Sequence, residues 1–147
     1  MSNITNNSLF EQIRNLIEQT KNNVAISVNS SLTMMYWEIG NRINQNILKN
    51  QRAEYGKEIV VTLSRQLQDN FGKGFDEKNL RRMMQFANAI EKQKVVTLSR
   101  QLSWSHFLAL LPLQESLKIE FYAQMSIVQN WGVRTLRERI DSMLYER

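Results

Sequence analysis

The sequence predicts an all-α fold of about six helices. Apolar residues recur every three or four positions through most of the 147 residues, which is the period of a helix with one buried face. One proline and five glycines leave few positions that would interrupt a helix. Residues 8–11 read Ser-Leu-Phe-Glu, the Ser-x-x-Glu capping box that begins a helix. We therefore expect a disordered N-terminus over residues 1–7 and a single helical domain over residues 8–147.

Residues 8–49 are expected to form one long helix or a pair of helices. The apolar stripe pauses at Asn22-Asn23 and then continues to Ile47. One uninterrupted helix of about 40 residues would be about 60 Å long and would need a partner for its apolar face. That partner would be another helix of this chain or a second subunit, so a homodimer through the N-terminal helix is one expectation. Gly40 lies inside the stripe, where glycine costs about 1 kcal/mol relative to alanine, and this predicts a close helix contact there.

Residues 57–90 have the pattern of a helix-turn-helix element. An amphipathic helix over residues 57–70 is followed by the turn Gly72-Lys73-Gly74, in which the glycines permit a positive φ. Asp76 is a good N-cap for a second helix, which should run to about Ile90. A basic, amide-rich helix after a tight turn is typical of a DNA-reading element. Two packed amphipathic helices with a merely solvated outer face would show the same pattern.

Positive charge is concentrated around this element. Residues 72–100 carry seven Lys/Arg and three Asp/Glu, hence a net charge of +4, which is most of the +5 of the whole chain. Such clustering favours a polyanion partner, here double-stranded DNA, and the alternative partner is an acidic protein surface. We expect phosphate contacts from the turn, groove contacts from the second helix and further backbone contacts beyond it. The candidate nucleic-acid-binding residues are Lys73, Gly74, Lys78, Arg81, Arg82, Gln85, Lys92, Lys94 and Arg100.

The rest of the chain is expected to be helical, with one alternative. Residues 95–102 repeat residues 60–67 letter for letter, but the flanks differ and there is no third copy, so we infer no repeat architecture. The β-branched start of the second copy makes a minor β wing near residues 95–102 an alternative to a helix. Residues 103–145 should form the C-terminal helices, with Ser103 capping a short helix that Pro112 ends.

No catalytic set is recognisable in the sequence. His106 is the one histidine and lies between apolar positions, which favours a structural or capping role. The chain has no cysteine, and the sequence Asp76-x-Lys78 lacks the strand and the upstream acid of a metal-nuclease motif. We therefore expect no catalytic residue, metal or cofactor. The polar N-terminus does not resemble a secretory signal and no apolar run approaches the length of a membrane span, which favours a cytoplasmic protein.

Distinctive strings occur along most of the chain. They include Tyr36-Trp37-Glu38-Ile39-Gly40, Arg52-Ala53-Glu54-Tyr55-Gly56-Lys57, Phe71-Gly72-Lys73-Gly74-Phe75, Leu102-Ser103-Trp104-Ser105-His106 and Trp131-Gly132-Val133-Arg134-Thr135-Leu136. Together they resemble the N-terminal domain of the bacterial YhcG-like family, from about residue 10 to the end. The resemblance implies a helical, DNA-binding module that precedes a PD-(D/E)xK-type nuclease domain. That nuclease domain is absent from this chain, so none of its catalytic residues can be assigned here.

We therefore expect a non-catalytic DNA-binding module that targets or positions a nuclease, either fused to it or acting in trans. The alternative is a protein-interaction or dimerisation module whose basic face makes no contact with DNA. Salt distinguishes the two, because phosphate-driven binding weakens steeply with ionic strength whereas an apolar interface hardly responds. Both a truncated form of a longer protein and a natural stand-alone protein fit the sequence.

Overall fold

The computed structural model describes residues 2–22, 28–50 and 53–147. Within these ranges the fold is all-α, as predicted, with eight α-helices, two short 3-10 helices and no strand. The α-helices are α1 (Ser2–Asn22), α2 (Val28–Asn50), α3 (Ala53–Phe71), α4 (Glu77–Ala89), α5 (Lys92–Leu98), α6 (Trp104–Leu110), α7 (Ser116–Val128) and α8 (Val133–Asp141). The number exceeds the expected six because residues 8–49 contribute two helices and because the short helix α5 follows α4.

Helices α1 and α2 form an antiparallel pair, so the alternative of one continuous helix of about 40 residues is wrong. Arg42 in the second half of α2 reaches Gln12 in the middle of α1, with 3.4 Å between Nη1 and Oε1, whereas Thr20 near the end of α1 lies beside Ser30 at the start of α2. Leu9, Ile13 and Ile17 of α1 are at most 2% exposed and pack into the same cluster as the buried residues of α2 and α3. Most of the face that we expected to need a partner is therefore covered within the chain, whereas Val28 and Leu32 at the start of α2 are exposed. Residues 23–27, including Asn23 of the expected interruption, lie outside the described residues.

The N-terminal boundary also differs from the expectation. Helix α1 begins at Ser2, six residues before the capping box at Ser8. Of residues 1–7, which we expected to be disordered, residues 2–7 are helical and Met1 lies outside the described residues.

Helices α2 and α4 cross at the centre of the molecule, and the close contact predicted at Gly40 is confirmed. A Cβ atom added to Gly40 would lie 1.9 Å from the carbonyl oxygen of Met83, which belongs to the backbone of α4. No side chain larger than hydrogen fits between the two helices at this position. Glycine therefore allows α2 and α4 to pack more closely than any other residue would.

Two apolar clusters meet at this crossing. The first joins α1, α2 and α3 with the N-terminal half of α4, and the second joins Trp37 of α2 and the C-terminal half of α4 with α5 to α8. Trp104 packs against both clusters, and its ring lies 4.8 Å from that of Tyr36 and 5.0 Å from that of Phe86. Because α4 contributes to both cores, its orientation is fixed by nearly the whole domain.

The suggested β wing near residues 95–102 is wrong. The segment is the second half of α5 followed by a turn, and Val95 and Leu98 are buried three positions apart, as a helix requires. The two copies of the repeated octapeptide bury the same four positions, the first, fourth, fifth and eighth. The helical spacing of the buried residues in the octapeptide therefore decides its secondary structure, and the β-branched residues at the start of the second copy do not make it a strand.

The predicted cap of α6 is confirmed and explains the one histidine of the chain. The Ser103 hydroxyl accepts a hydrogen bond from the His106 N–H, and the Ser103 N–H donates to His106 Nδ1 at 3.1 Å. His106 Nε2 lies 2.9 Å from the carbonyl oxygen of Trp131, so the ring also ties α6 to the segment before α8. Both ring nitrogens are occupied by structural hydrogen bonds.

Candidate nucleic-acid interface

The turn between α3 and α4 is held in one conformation. Gly72 has a φ of 98°, which a residue with a side chain adopts only with strain, and Phe75 is buried beneath the turn. The Asp76 carboxylate accepts a hydrogen bond from the Asn79 N–H at 2.9 Å, which confirms the predicted N-cap of α4. The Asn79 side chain in turn donates to the carbonyl oxygen of Gly74 at 3.2 Å. Backbone and side-chain bonds thus fix the turn onto the start of α4.

The outer face of α4 carries the basic residues predicted for it. Lys78, Arg81 and Gln85 are exposed and Arg82 is half-buried, opposite the inward side chains of the helix. Arg81 lies 3.7 Å from the Glu77 carboxylate, but both side chains are about half exposed, and such pairs contribute little. Within the described part of the chain, Lys78 and Arg82 have no acidic partner. These three cations therefore leave a positive surface along α4.

Hydrogen bonds to neighbouring elements hold the second half of α4 and its C-cap in place. Trp37 Nε1 donates to the carbonyl oxygen of Ile90 at 2.8 Å, and Asn44 Nδ2 donates to that of Met84 at 2.9 Å. Gln85 Nε2 donates to the carbonyl oxygen of Leu111 at 3.3 Å, so this candidate base-reading amide also contributes to packing. The buried bond from Trp37 and the two partly buried bonds fix α4 as a support for its outer face.

The three candidates beyond α4 lie on two further surfaces. Lys92 and Arg100 line a groove between α1, α2 and α5, whereas Lys94 borders a separate groove between α5 and α7. Lys92 is also ion-paired, with 2.6 Å between Nζ and the Glu38 carboxylate, and it lies 5.9 Å from the ring centre of Trp37. The nine candidate residues are therefore divided into three groups, and the turn together with α4 holds six of them.

Of the residues that support this surface, sequence reasoning identified Gly40 but missed Trp37 and Asn44. Trp37, Gly40 and Asn44 follow one another along one side of α2 and all contact α4 or its end. The sequence contained a signal for Asn44, because it is a polar residue four positions after Gly40, on the side of α2 whose other residues pack against neighbouring helices. An amide there predicts a buried hydrogen-bond acceptor, although the sequence does not say which one.

Neither a metal-binding cluster nor a membrane-spanning helix occurs among the described residues. The ranges 2–22, 28–50 and 53–147 contain no cluster of three or more His, Asp or Glu side chains that could hold a metal ion. Among the helices described, none combines the length and the apolar character that crossing a bilayer would need.

Comparison with known proteins gives the chain a family. The family model of the DUF1016 N-terminal domain matches residues 12–147. The Escherichia coli (strain K12) protein named "Putative nuclease YhcG" is 26% identical over 170 aligned residues, which cover 95% of this chain and 45% of that protein. The chain thus spans less than half the length of this relative, and no solved structure matches it significantly. The resemblance to the YhcG-like family is confirmed, and the chain belongs to the family of DUF1016 N-terminal domains.

Proposed function

We propose that this domain binds double-stranded DNA through the turn at residues 72–76 and the outer face of α4. The observation that carries the proposal is the combination of three cations, Lys78, Arg81 and Arg82, with a helix that is fixed from both cores. Only one acid, Glu77, approaches them among the described side chains, and it does so from an exposed position. A rigid positive helix surface is suited to a phosphate backbone, since affinity for DNA depends chiefly on neutralised phosphates.

The geometry of α4 is compatible with groove binding. Its 13 residues span about 20 Å at 1.5 Å per residue, and a major groove about 12 Å wide admits an α-helix. In the bound state Lys73 and the backbone of Gly74 would approach phosphates at the turn. Lys78, Arg81 and Arg82 would face the groove, where their charges would neutralise the phosphates that line it. Lys94 and Arg100 would add backbone contacts, and Lys92 would have to exchange Glu38 for a phosphate. In this proposal residues 57–90 act as a helix-turn-helix-like element.

The proposed role of DNA binding is to target or position a nuclease. The support for this step is the similarity to the relative named "Putative nuclease YhcG", of which the aligned region is less than half. The domain itself would be non-catalytic, and the nuclease would be fused to it or recruited in trans.

A second candidate function, protein docking, is favoured by one specific feature. Helix α7 exposes 69% of Leu117 and 72% of Val128, and both lie on the side of the helix that also carries Phe121. Exposed apolar side chains that share one helix face favour a surface that another protein covers when they form one continuous patch. Docking through α7 would leave the outer face of α4 free, so the two functions are compatible.

Fluorescence anisotropy of a labelled duplex tests the DNA-binding proposal. The test variant is Arg81→Gln/Arg82→Gln, and the matched control is Arg134→Gln/Arg137→Gln, which removes two exposed arginines from α8. A base or phosphate contact by arginine contributes about 1–3 kcal/mol, so the test variant should lose at least about tenfold in affinity while the control loses little. No binding at low salt, or equal losses in both variants, would contradict the proposal.

A further inference from the structure

A polar groove of about 300 Å³ lies between α1 and α2. It is lined by amide side chains and by two cations, Arg42 and Lys49, which are seven residues apart and therefore share one side of α2. Residue 42 is 200° around the helix from Gly40, which faces α4. The groove thus opens on the opposite side of α2 from α4, away from the proposed DNA surface.

Arg42 makes fewer hydrogen bonds than a partly buried guanidinium group requires. Its Nε atom is buried and makes no hydrogen bond, and its Nη1 atom makes one long bond of 3.4 Å to Gln12 Oε1. No carboxylate forms an ion pair with Arg42 or Lys49 in the part of the chain that the structure describes. A buried guanidinium donor without an acceptor is costly, so an acceptor supplied by a ligand would stabilise this arrangement.

The neighbouring amides present donors because their acceptors are already engaged. Gln12 Oε1 accepts from Arg42, and Asn46 Oδ1 accepts a hydrogen bond from the Tyr55 hydroxyl. The NH₂ groups of Gln12 and Asn46 therefore remain to donate. Asn41 and Gln45 add two further amides.

One carboxylate also lines the groove and must be considered. Glu38 lies at its edge, but Glu38 Oε1 is 2.6 Å from Lys92 Nζ, so its charge is neutralised from the neighbouring groove. The remaining side chains supply two positive charges and several N–H donors. A ligand that fits must be negatively charged and rich in acceptor oxygens.

We propose that the groove between α1 and α2 binds the phosphate group of a phosphate ester. A phosphate offers three acceptor oxygens, and the planar guanidinium of Arg42 can bind two of them at once. Gln12, Asn46 and Lys49 would satisfy the third oxygen and the remaining charge. The phosphate belongs either to a free mononucleotide or to a nucleic-acid backbone, and these two sources share the same recognition chemistry.

Two-dimensional NMR of the ¹⁵N-labelled chain tests the proposal, with side-chain NH₂ signals as direct reporters of Gln12 and Asn46. The probes are pyrophosphate, adenosine monophosphate, an unlabelled DNA duplex, and acetate as an anion without phosphate. We expect pyrophosphate to shift the signals of Gln12, Arg42 and Asn46, and acetate to leave them unchanged. Shifts with the mononucleotide would identify a small phosphate ester, and shifts with the duplex alone would identify the backbone.

Variants separate ligand binding from folding. Lys49→Gln alters an exposed side chain and should fold normally, whereas Arg42→Gln also changes packing, and Arg65→Gln on α3 is the matched control. Loss of one charge-assisted bond should weaken pyrophosphate binding by about tenfold or more in Lys49→Gln and Arg42→Gln, with no change in Arg65→Gln. The proposal is overturned if millimolar pyrophosphate leaves the groove signals unchanged, if acetate shifts them equally, or if Lys49→Gln binds as the wild type does.

Discussion

Replacing Gly40 with alanine should separate the two central helices. The added Cβ would lie 1.9 Å from the carbonyl oxygen of Met83, 2.3 Å from its carbonyl carbon and 2.8 Å from the Met84 nitrogen. To reach even 3.0 Å from that oxygen, α2 and α4 must move apart by at least 1.1 Å, the difference between 3.0 and 1.9 Å. All three atoms are backbone, so no side-chain rotation can relieve the overlap.

Two opposing terms set the size of the effect. Alanine gains about 1 kcal/mol over glycine in a helix interior. Overpacking a tight core costs about 1–3 kcal/mol and sometimes more, and here the shift also strains the hydrogen bond from Asn44 to Met84. Because the overlapping atoms are backbone, we expect a cost at the upper end, about 3 kcal/mol, and hence a net loss of about 2 kcal/mol. That loss is a large part of the 5–15 kcal/mol that stabilises a typical domain.

Urea unfolding followed by circular dichroism measures this difference, with Gly56→Ala as the matched control. The Cβ of an alanine at position 56 would meet only side-chain atoms of Ile47, at 3.7 and 3.8 Å, which is ordinary contact. This control should therefore gain up to about 1 kcal/mol from helix propensity alone. The reasoning is refuted if Gly40→Ala is as stable as the wild type or moves in the same direction as Gly56→Ala.

Three further predictions concern the support of α4 and its turn. Asp76→Ala removes the N-cap of α4 and should cost about 1 kcal/mol in the same unfolding assay. If the loss is the same in high salt, it comes from the capping hydrogen bond, because salt would screen an interaction with the helix dipole. Gly72→Ala should cost about 1–2 kcal/mol in that assay because φ is 98° at this position. Gly74→Ala should leave stability unchanged, because a Cβ at position 74 meets nothing within 4 Å. If the backbone of Gly74 approaches a phosphate, Gly74→Ala should weaken duplex binding. Trp37→Phe leaves the Ile90 carbonyl unpaired and should cost about 1–3 kcal/mol, and equal melting temperatures would disprove this role.

The elements most accurately predicted are those whose signals are local. Asp76 and Ser103 were identified as caps because a capping side chain bonds to a backbone group only three residues away. The apolar stripes likewise located α3 and α4 to within a few residues, since helical periodicity needs no knowledge of the partner. Gly40 belongs to this group, because a glycine inside a long helical stripe implies a close neighbour.

What could not be predicted depends on contacts that are distant in the chain. The stripe of residues 8–49 fits a continuous helix and an antiparallel pair equally well, and only packing on α3 decides between them. The charge cluster over residues 72–100 suggested one surface. In the structure, Lys92 and Arg100 line one groove and Lys94 lines another, because the chain turns between α4 and α5. The donors of the groove between α1 and α2 come from residues 12 to 49, and no local pattern connects them.

The salt dependence of duplex affinity tests the central claim most directly. The affinity of the wild type and of Arg81→Gln/Arg82→Gln is measured by anisotropy across a series of salt concentrations, and the logarithm of affinity is plotted against that of salt. Each phosphate neutralised contributes a slope of about −0.9, so loss of two phosphate contacts should make the slope shallower by about 1.8. Parallel lines, or an affinity that does not respond to salt, would contradict a phosphate-binding role for the outer face of α4.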